Sequence, residues 1–171
     1  SDLILAGISI GSGGFYAYYS YVDLIMTKVS GLTASRMTPV IALAGLSMFV
    51  GNVVSASLIK HFNDETLVFS GQLLIAVAVL GAYFLSRDEI TSIFMISLAA
   101  FGYFCIAGLM LALVIKGAGD AKVIIAALGQ VAYNGANAIG AFVIDVSGIA
   151  SECTLPALLL SFASSVLFYF V

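Results

Sequence analysis

Apolar residues run along this chain in long blocks, and the charged positions fall between the blocks. Uncharged stretches occupy 3–22, 37–59, 66–86, 90–115, 123–144 and 153–171, with lengths of 20, 23, 21, 26, 22 and 19 residues. An α-helix rises about 1.5 Å per residue, so about 20 apolar residues cross a hydrocarbon layer of about 30 Å. Six such blocks in succession predict an all-α integral membrane protein with six transmembrane helices. Their expected bounds are about 3–28, 36–60, 66–86, 90–115, 121–146 and 154–171, in a single bundle over residues 1–171. Pro39 and Pro156 fall in first turns, where a missing N–H costs little. The connections are too short for a separate extramembrane domain.

Two helices carry polar stripes. On a helical wheel of about 100° per residue, Gly7, Gly11 and Gly14 share one side of the first helix, while Ser9, Ser12, Tyr16, Ser20 and Asp23 share the other. Small residues let membrane helices approach closely, so Gly7, Gly11, Gly14, Gly51, Gly135 and Gly140 are the expected packing positions. In the fifth helix Gln130, Asn134 and Asn137 project together, opposite Leu128, Ala132, Gly135 and Ile139. Such amides fit two readings, interhelical hydrogen bonds or the wall of a water-filled cavity. Two stripes in one bundle favour the cavity, because polar groups facing lipid are costly. Tyr16 and Tyr19 share the serine-bearing side of the first helix and could stack on a ligand, while the other tyrosines there suit the headgroup level.

Composition sharpens the choice of solvent. Hydrophobic residues make up 62% of the chain, charged residues 9%, and the mean hydropathy is +1.17. A soluble domain carries about 25% charged residues to coat its core. The net charge of −3 is scattered and forms no basic patch, so no nucleic-acid partner is expected. Six crossings place both termini on one side of the membrane. Lys60, Lys116 and Lys122 stand at one face against Lys28, Arg36 and Arg87 at the other, a balance that leaves orientation unassigned by charge. Cys105, Cys153 and the five methionines show no metal-ligand spacing, and no metal or cofactor is expected.

Gly117-Ala118-Gly119-Asp120 with Pro156-Ala157-Leu158 matches the two short motifs of intramembrane aspartyl proteases. That chemistry needs a second carboxylate to share a proton. Asp23 and Asp145 do not follow a tyrosine as that family requires, and Asp120 lies between Lys116 and Lys122. The protease reading is therefore a remote alternative. His61, beside Lys60, reads as a solvated interface residue rather than a catalytic one.

Other motifs carry a resemblance along the whole chain. Gly14-Phe15-Tyr16-Ala17-Tyr18-Tyr19-Ser20-Tyr21, followed by Met26, Val29, Ser30 and Gly31, resembles the start of the C-terminal half of a major facilitator superfamily transporter. Three further stretches agree in order: Ala44-Gly45-Leu46 with Gly51-Asn52, then Gly129-Gln130-Val131-Ala132-Tyr133-Asn134 with Ala138 and Gly140-Ala141, then Leu155-Pro156-Ala157. The pattern is most similar to the arabinose efflux permease group of the drug:proton antiporters. After Gly51-Asn52 that family often carries a basic residue that braces the cytoplasmic gate; here the charge is displaced to Lys60.

The resemblance implies a half-transporter of two inverted three-helix units in the inner membrane. Its activity would be proton-coupled efflux of sugars or drug-like small molecules by alternating access. It implies that the first and fourth helices line the path while the second and fifth form interface and gates. Tyr16, Tyr19 and Ser20 would then face substrate, and Gln130, Asn134 and Asn137 would line or gate it. Lys60, Lys116 and both termini would be cytoplasmic. No carboxylate lies deep in a span, so the proton-coupling acid is expected outside this chain. The expected partners are the lipid bilayer, a small-molecule substrate, a proton, and an N-terminal six-helix half in the same polypeptide or a second chain, or a second copy. A non-transporting membrane scaffold or a separate half-transporter subunit is the rival reading.

Overall fold

The computed structural model describes residues 12–16, 18–85, 87–116 and 122–147. Within them every regular element is helical. Helix α1 comprises residues 12–16, 18–20 and Val22–Leu24, and passes into a π-helical turn, Ile25–Val29. The last turn of the helix expected over about 3–28 is thus π-helical rather than α-helical. The Thr27 hydroxyl donates to the Asp23 carbonyl at 2.7 Å, and Leu32 N–H reaches back to the Met26 carbonyl at 2.9 Å. Gly31, at φ 74°, supplies the left-handed residue that closes this end. A 3₁₀ turn, Ala34–Arg36, leads into α2, Met37–Leu58.

Three long helices follow: α3, Asp64–Leu85, α4, Glu89–Lys116, and α5, Lys122–Ser147. Asp64 and Glu65 lie inside the first turn of α3 rather than in the preceding loop. Carboxylates are stabilised there by the positive end of the helix dipole, so the helix starts earlier than the hydropathy alone indicates. The segments Ala34–Leu58, Asp64–Leu85 and Glu89–Lys116 are each long and apolar enough to cross a bilayer. The expected sixth helix, 154–171, lies outside the described residues, as does the start of the expected first helix.

Helix α4 is the central rod. Its Ile96, Ala99, Tyr103, Ile106 and Met110 are buried together with Val68, Ile75, Ala78, Val79 and Ala82 of α3. Helix α2 buries only Met37, Val40, Ala44 and Gly51, one narrow stripe spaced by helical turns. Its remaining surface presents Leu46, Phe49 and Val53, exposed by 57%, 65% and 55%. An apolar face of that extent is unfavourable in water and ordinary against lipid.

Glycine sets the closest approaches. A Cβ at Gly51 would lie 2.5 Å from the Phe101 carbonyl oxygen, so α2 and α4 touch backbone to backbone. At Gly71 it would strike the Ile106 side chain. Ion pairs stitch both ends of α4: Glu89 to Arg36 ahead of α2, and Lys116 to Asp64 at the start of α3. A hydrogen bond of 2.7 Å between the Ser30 and Ser92 hydroxyls ties the end of the π turn to the first turn of α4.

Candidate functional site: an aromatic and amide cavity

Where α1 crosses α4, five aromatic rings gather. Phe15 stacks on Tyr103 with centroids 4.2 Å apart and planes within 4°, and on Tyr19 at 5.5 Å and 18°. Tyr16 meets Tyr103 edge to face at 5.5 Å, and Phe104 packs edge-on to Tyr103 at the same distance. The sequence produces this because 15, 16 and 19 share one face of α1, as 103 and 104 do on α4. The Tyr103 hydroxyl donates to the Ser12 hydroxyl oxygen at 3.0 Å, a buried bond joining residues of α1 and α4. A buried tyrosine normally finds such a partner for its O–H.

Beside the rings lies a cavity of about 290 Å³. Tyr16 of α1 closes one side, and Gln130 and Asn134 of α5 face it from another. Between them α4 contributes Tyr103, Phe104, Ala107, Gly108 and Leu111, an aromatic floor that thins to small side chains. The wall offers ring faces for stacking and two amides that both donate and accept hydrogen bonds. Among the described residues it contains no carboxylate, lysine or arginine. That chemistry suits an uncharged ligand with a flat or ring-shaped body and polar edges.

A second space, about 280 Å³, runs between α2 and α4 along Leu46, Val50, Phe94, Leu98 and Phe101. Its two serines are turned inward, Ser47 donating to the Leu43 carbonyl at 3.0 Å and Ser97 to the Ile93 carbonyl at 2.8 Å. What remains is a hydrocarbon surface with nothing to orient a polar ligand, so it is the weaker candidate.

The expected site residues distribute unevenly. Tyr16, Gln130 and Asn134 line the one cavity. Tyr19 is half-buried in the aromatic stack and outside the lining, while Ser20 and Asn137 are exposed and also outside it. Of the expected packing glycines, Gly14 is buried and Gly51 makes the tight α2–α4 approach. A Cβ at Gly135 would meet nothing within 4 Å. Gly7 and Gly11, the surroundings of Gly140, and Asp120 of the protease-like motif lie outside the described residues. Sequence reasoning did not single out Tyr103, Phe104 or Gly108. For Phe104 and Gly108 the signal was the spacing 104, 107, 108, 111, and for Tyr103 the spacing 103, 107, on a helix that carries no polar stripe to draw attention to it.

Among the described residues, helices long and apolar enough to cross a membrane pack into one bundle, and a largely apolar cavity bearing two amides opens beside α4, which is the make-up of an integral membrane protein. Comparison with known proteins agrees. The chain is 31% identical over 173 residues to Putative transporter AraJ of Escherichia coli (strain K12), an alignment covering 98% of this chain and 44% of that protein. The chain is thus similar to that protein along nearly its whole length and spans less than half the length of that curated relative. No family profile matches the chain, and no solved structure matches it.

Proposed function

We propose that this chain is the C-terminal half of a secondary active transporter of the inner membrane. It exports uncharged sugars or drug-like small molecules by alternating access coupled to protons. The observation that carries the reading is the cavity where Tyr16, Tyr103, Gln130 and Asn134 converge from three helices. A lipid-facing helix has no use for two amides, whereas a ligand path needs polar groups that reward desolvation of the correct ligand. Homology to a transporter supports the same conclusion. The N-terminal half would cover the open side of the cavity and supply the titrating acid, since α2 carries no charged residue and those of α3 and α4 sit only in end turns. The end of the bundle bearing Lys60 and the Lys116–Asp64 pair would face the cytoplasm.

The test is Asn134→Leu in the full-length protein, assayed in energised inverted vesicles with radiolabelled L-arabinose and the uncharged dye Nile red as tracers. Losing an amide that binds ligand is expected to lower transport about tenfold, the equivalent of about 1.4 kcal/mol. Transport at the unsubstituted rate removes Asn134 from the path and favours the scaffold reading, in which the amides only hold helices together.

A further inference from the structure

Glycine inside a helix is disfavoured relative to alanine, because more backbone freedom is lost on folding. In membrane bundles a close neighbour commonly offsets this. The glycines around α4 divide on that point. A Cβ at Gly102 would lie 3.3 Å from Ile75 Cγ1 and Leu74 Cδ2, and one at Gly129 would lie 2.7 Å from Leu111 Cδ1. Six residues beyond Gly102 on the same helix, a Cβ at Gly108 would meet nothing within 4 Å. Yet Gly108 does not stand on a plain lipid-facing surface. It lines the aromatic and amide cavity, one turn after Phe104 and one turn before Leu111. The room a side chain would take there is the cavity's own volume.

We infer that Gly108 is a specificity-determining position: its missing side chain sets how large a ligand fits between the aromatic wall of α4 and the amides of α5. This rests on the reading of the cavity as the ligand path. A methyl group at 108 enters free space, whereas an isobutyl group would take up part of the cavity that Gln130 and Asn134 line from α5. Gly45 is the internal control. It is also helical and has nothing within 4 Å of its Cβ, but it lies on the exposed face of α2, away from this cavity.

The experiment uses the full-length protein in membrane vesicles, in a background without native cysteines, with Asn134→Cys as reporter and 2-sulfonatoethyl methanethiosulfonate as the probe. With glycine at 108 the introduced thiol reacts. Adding Gly108→Ala leaves the rate nearly unchanged, Gly108→Val lowers it, and Gly108→Leu lowers it about tenfold or more by filling a close-packed space. Gly45→Leu leaves it unchanged. Equal rates across the 108 series, with the parent thiol reactive, overturn the inference and leave the ligand path standing. An inert parent thiol shows a dry amide face and overturns both. Should Gly108→Leu fail to assemble, as read by size-exclusion profile, the order of Ala against Val decides alone.

Discussion

The two sides of α4 make opposite uses of similar residues. Toward α2 and α3 the helix is packed to the backbone at its glycine crossings, with Gly51 under the Phe101 carbonyl, Gly71 under Ile106, and Ile75 and Val79 fully buried, and the cleft of about 280 Å³ that opens beside α2 is lined by hydrocarbon. Toward α5 the same helix leaves a space of about 290 Å³, and a Cβ added at Gly108, one of the residues lining it, would meet no described residue within 4 Å. Hydrocarbon solvent gives apolar helices no reason to seek one another, so the first side is held by contact and geometry alone. Size does not separate the two spaces, since each forfeits dispersion contacts unless something enters it. What separates them is chemistry: lipid tails can fill the cleft beside α2, whereas the space beside α5 carries the Gln130 and Asn134 amides.

The sharpest way to break the packed side is Gly51→Ala. The added methyl meets a backbone oxygen at 2.5 Å and the Cys105 nitrogen at 3.2 Å, and neither can turn away. Helices α2 and α4 must separate, at a cost of about 3 kcal/mol, the upper range for overpacking. Thermal unfolding in detergent measures it. Gly71→Ala is expected to cost less, because it meets the side chain of Ile106 rather than backbone atoms, and a side chain can shift by a few tenths of an ångström without moving the helix axis. If the two substitutions are equally mild, the α2–α4 contact is not the rigid element described here.

The contrast between sides also explains what the sequence could disclose. The spans of α2, α3 and α4 were legible from hydropathy, because length and lack of charge are what a bilayer requires of them. The amides at 130 and 134 were legible because polarity is rare on such a helix. Tyr103 and Gly108 were not. An aromatic ring and a glycine on a membrane helix serve packing and cavity equally well, and only the position of the neighbours decides which. Periodicity on α1 grouped Ser12 with Tyr16 correctly, yet could not show that the serine is consumed by Tyr103. Nor could it show that the helix would widen into a π turn at Ile25. Both depend on contacts far apart in the chain.

The seam between the two sides is the Tyr103–Ser12 bond, and it offers a smaller, cleaner measurement. Tyr103→Phe keeps the ring stacked on Phe15 and removes only the donor. It is expected to cost about 1 kcal/mol, the usual net worth of one buried hydrogen bond. Ser12→Ala alone leaves the tyrosine hydroxyl without this acceptor. A double-mutant cycle of the two by thermal unfolding should give a coupling of about 1 kcal/mol. Purely additive effects would mean that α1 is held to α4 by ring stacking alone, and that the cavity floor is not fixed by the polar stripe of α1.

The smallest effect belongs to the end of α4 that both sides share. Asp88 stands just before the helix and accepts hydrogen bonds from the Thr91 backbone N–H at 2.9 Å and the Thr91 hydroxyl at 2.8 Å. These bonds, the backbone one foremost, hold its carboxyl below the ordinary carboxylate range. A depressed folded-state pKa stabilises the fold above the unfolded value and loses that contribution as pH falls through the folded one. Asp88→Asn keeps a capping oxygen but no longer titrates. The difference in melting temperature between the unsubstituted protein and Asp88→Asn should therefore stay flat from neutral pH down to about 5 and shrink below about pH 4. Full exposure keeps the effect small, since water competes for the same carboxylate. Because the cap sets the start of the rod and neither of its faces, transport and the reactivity of a thiol at 134 should not change with it. A change in either would mean that the end of α4 is coupled to the open side alone, and that the helix does not behave as one rigid body between its two neighbours.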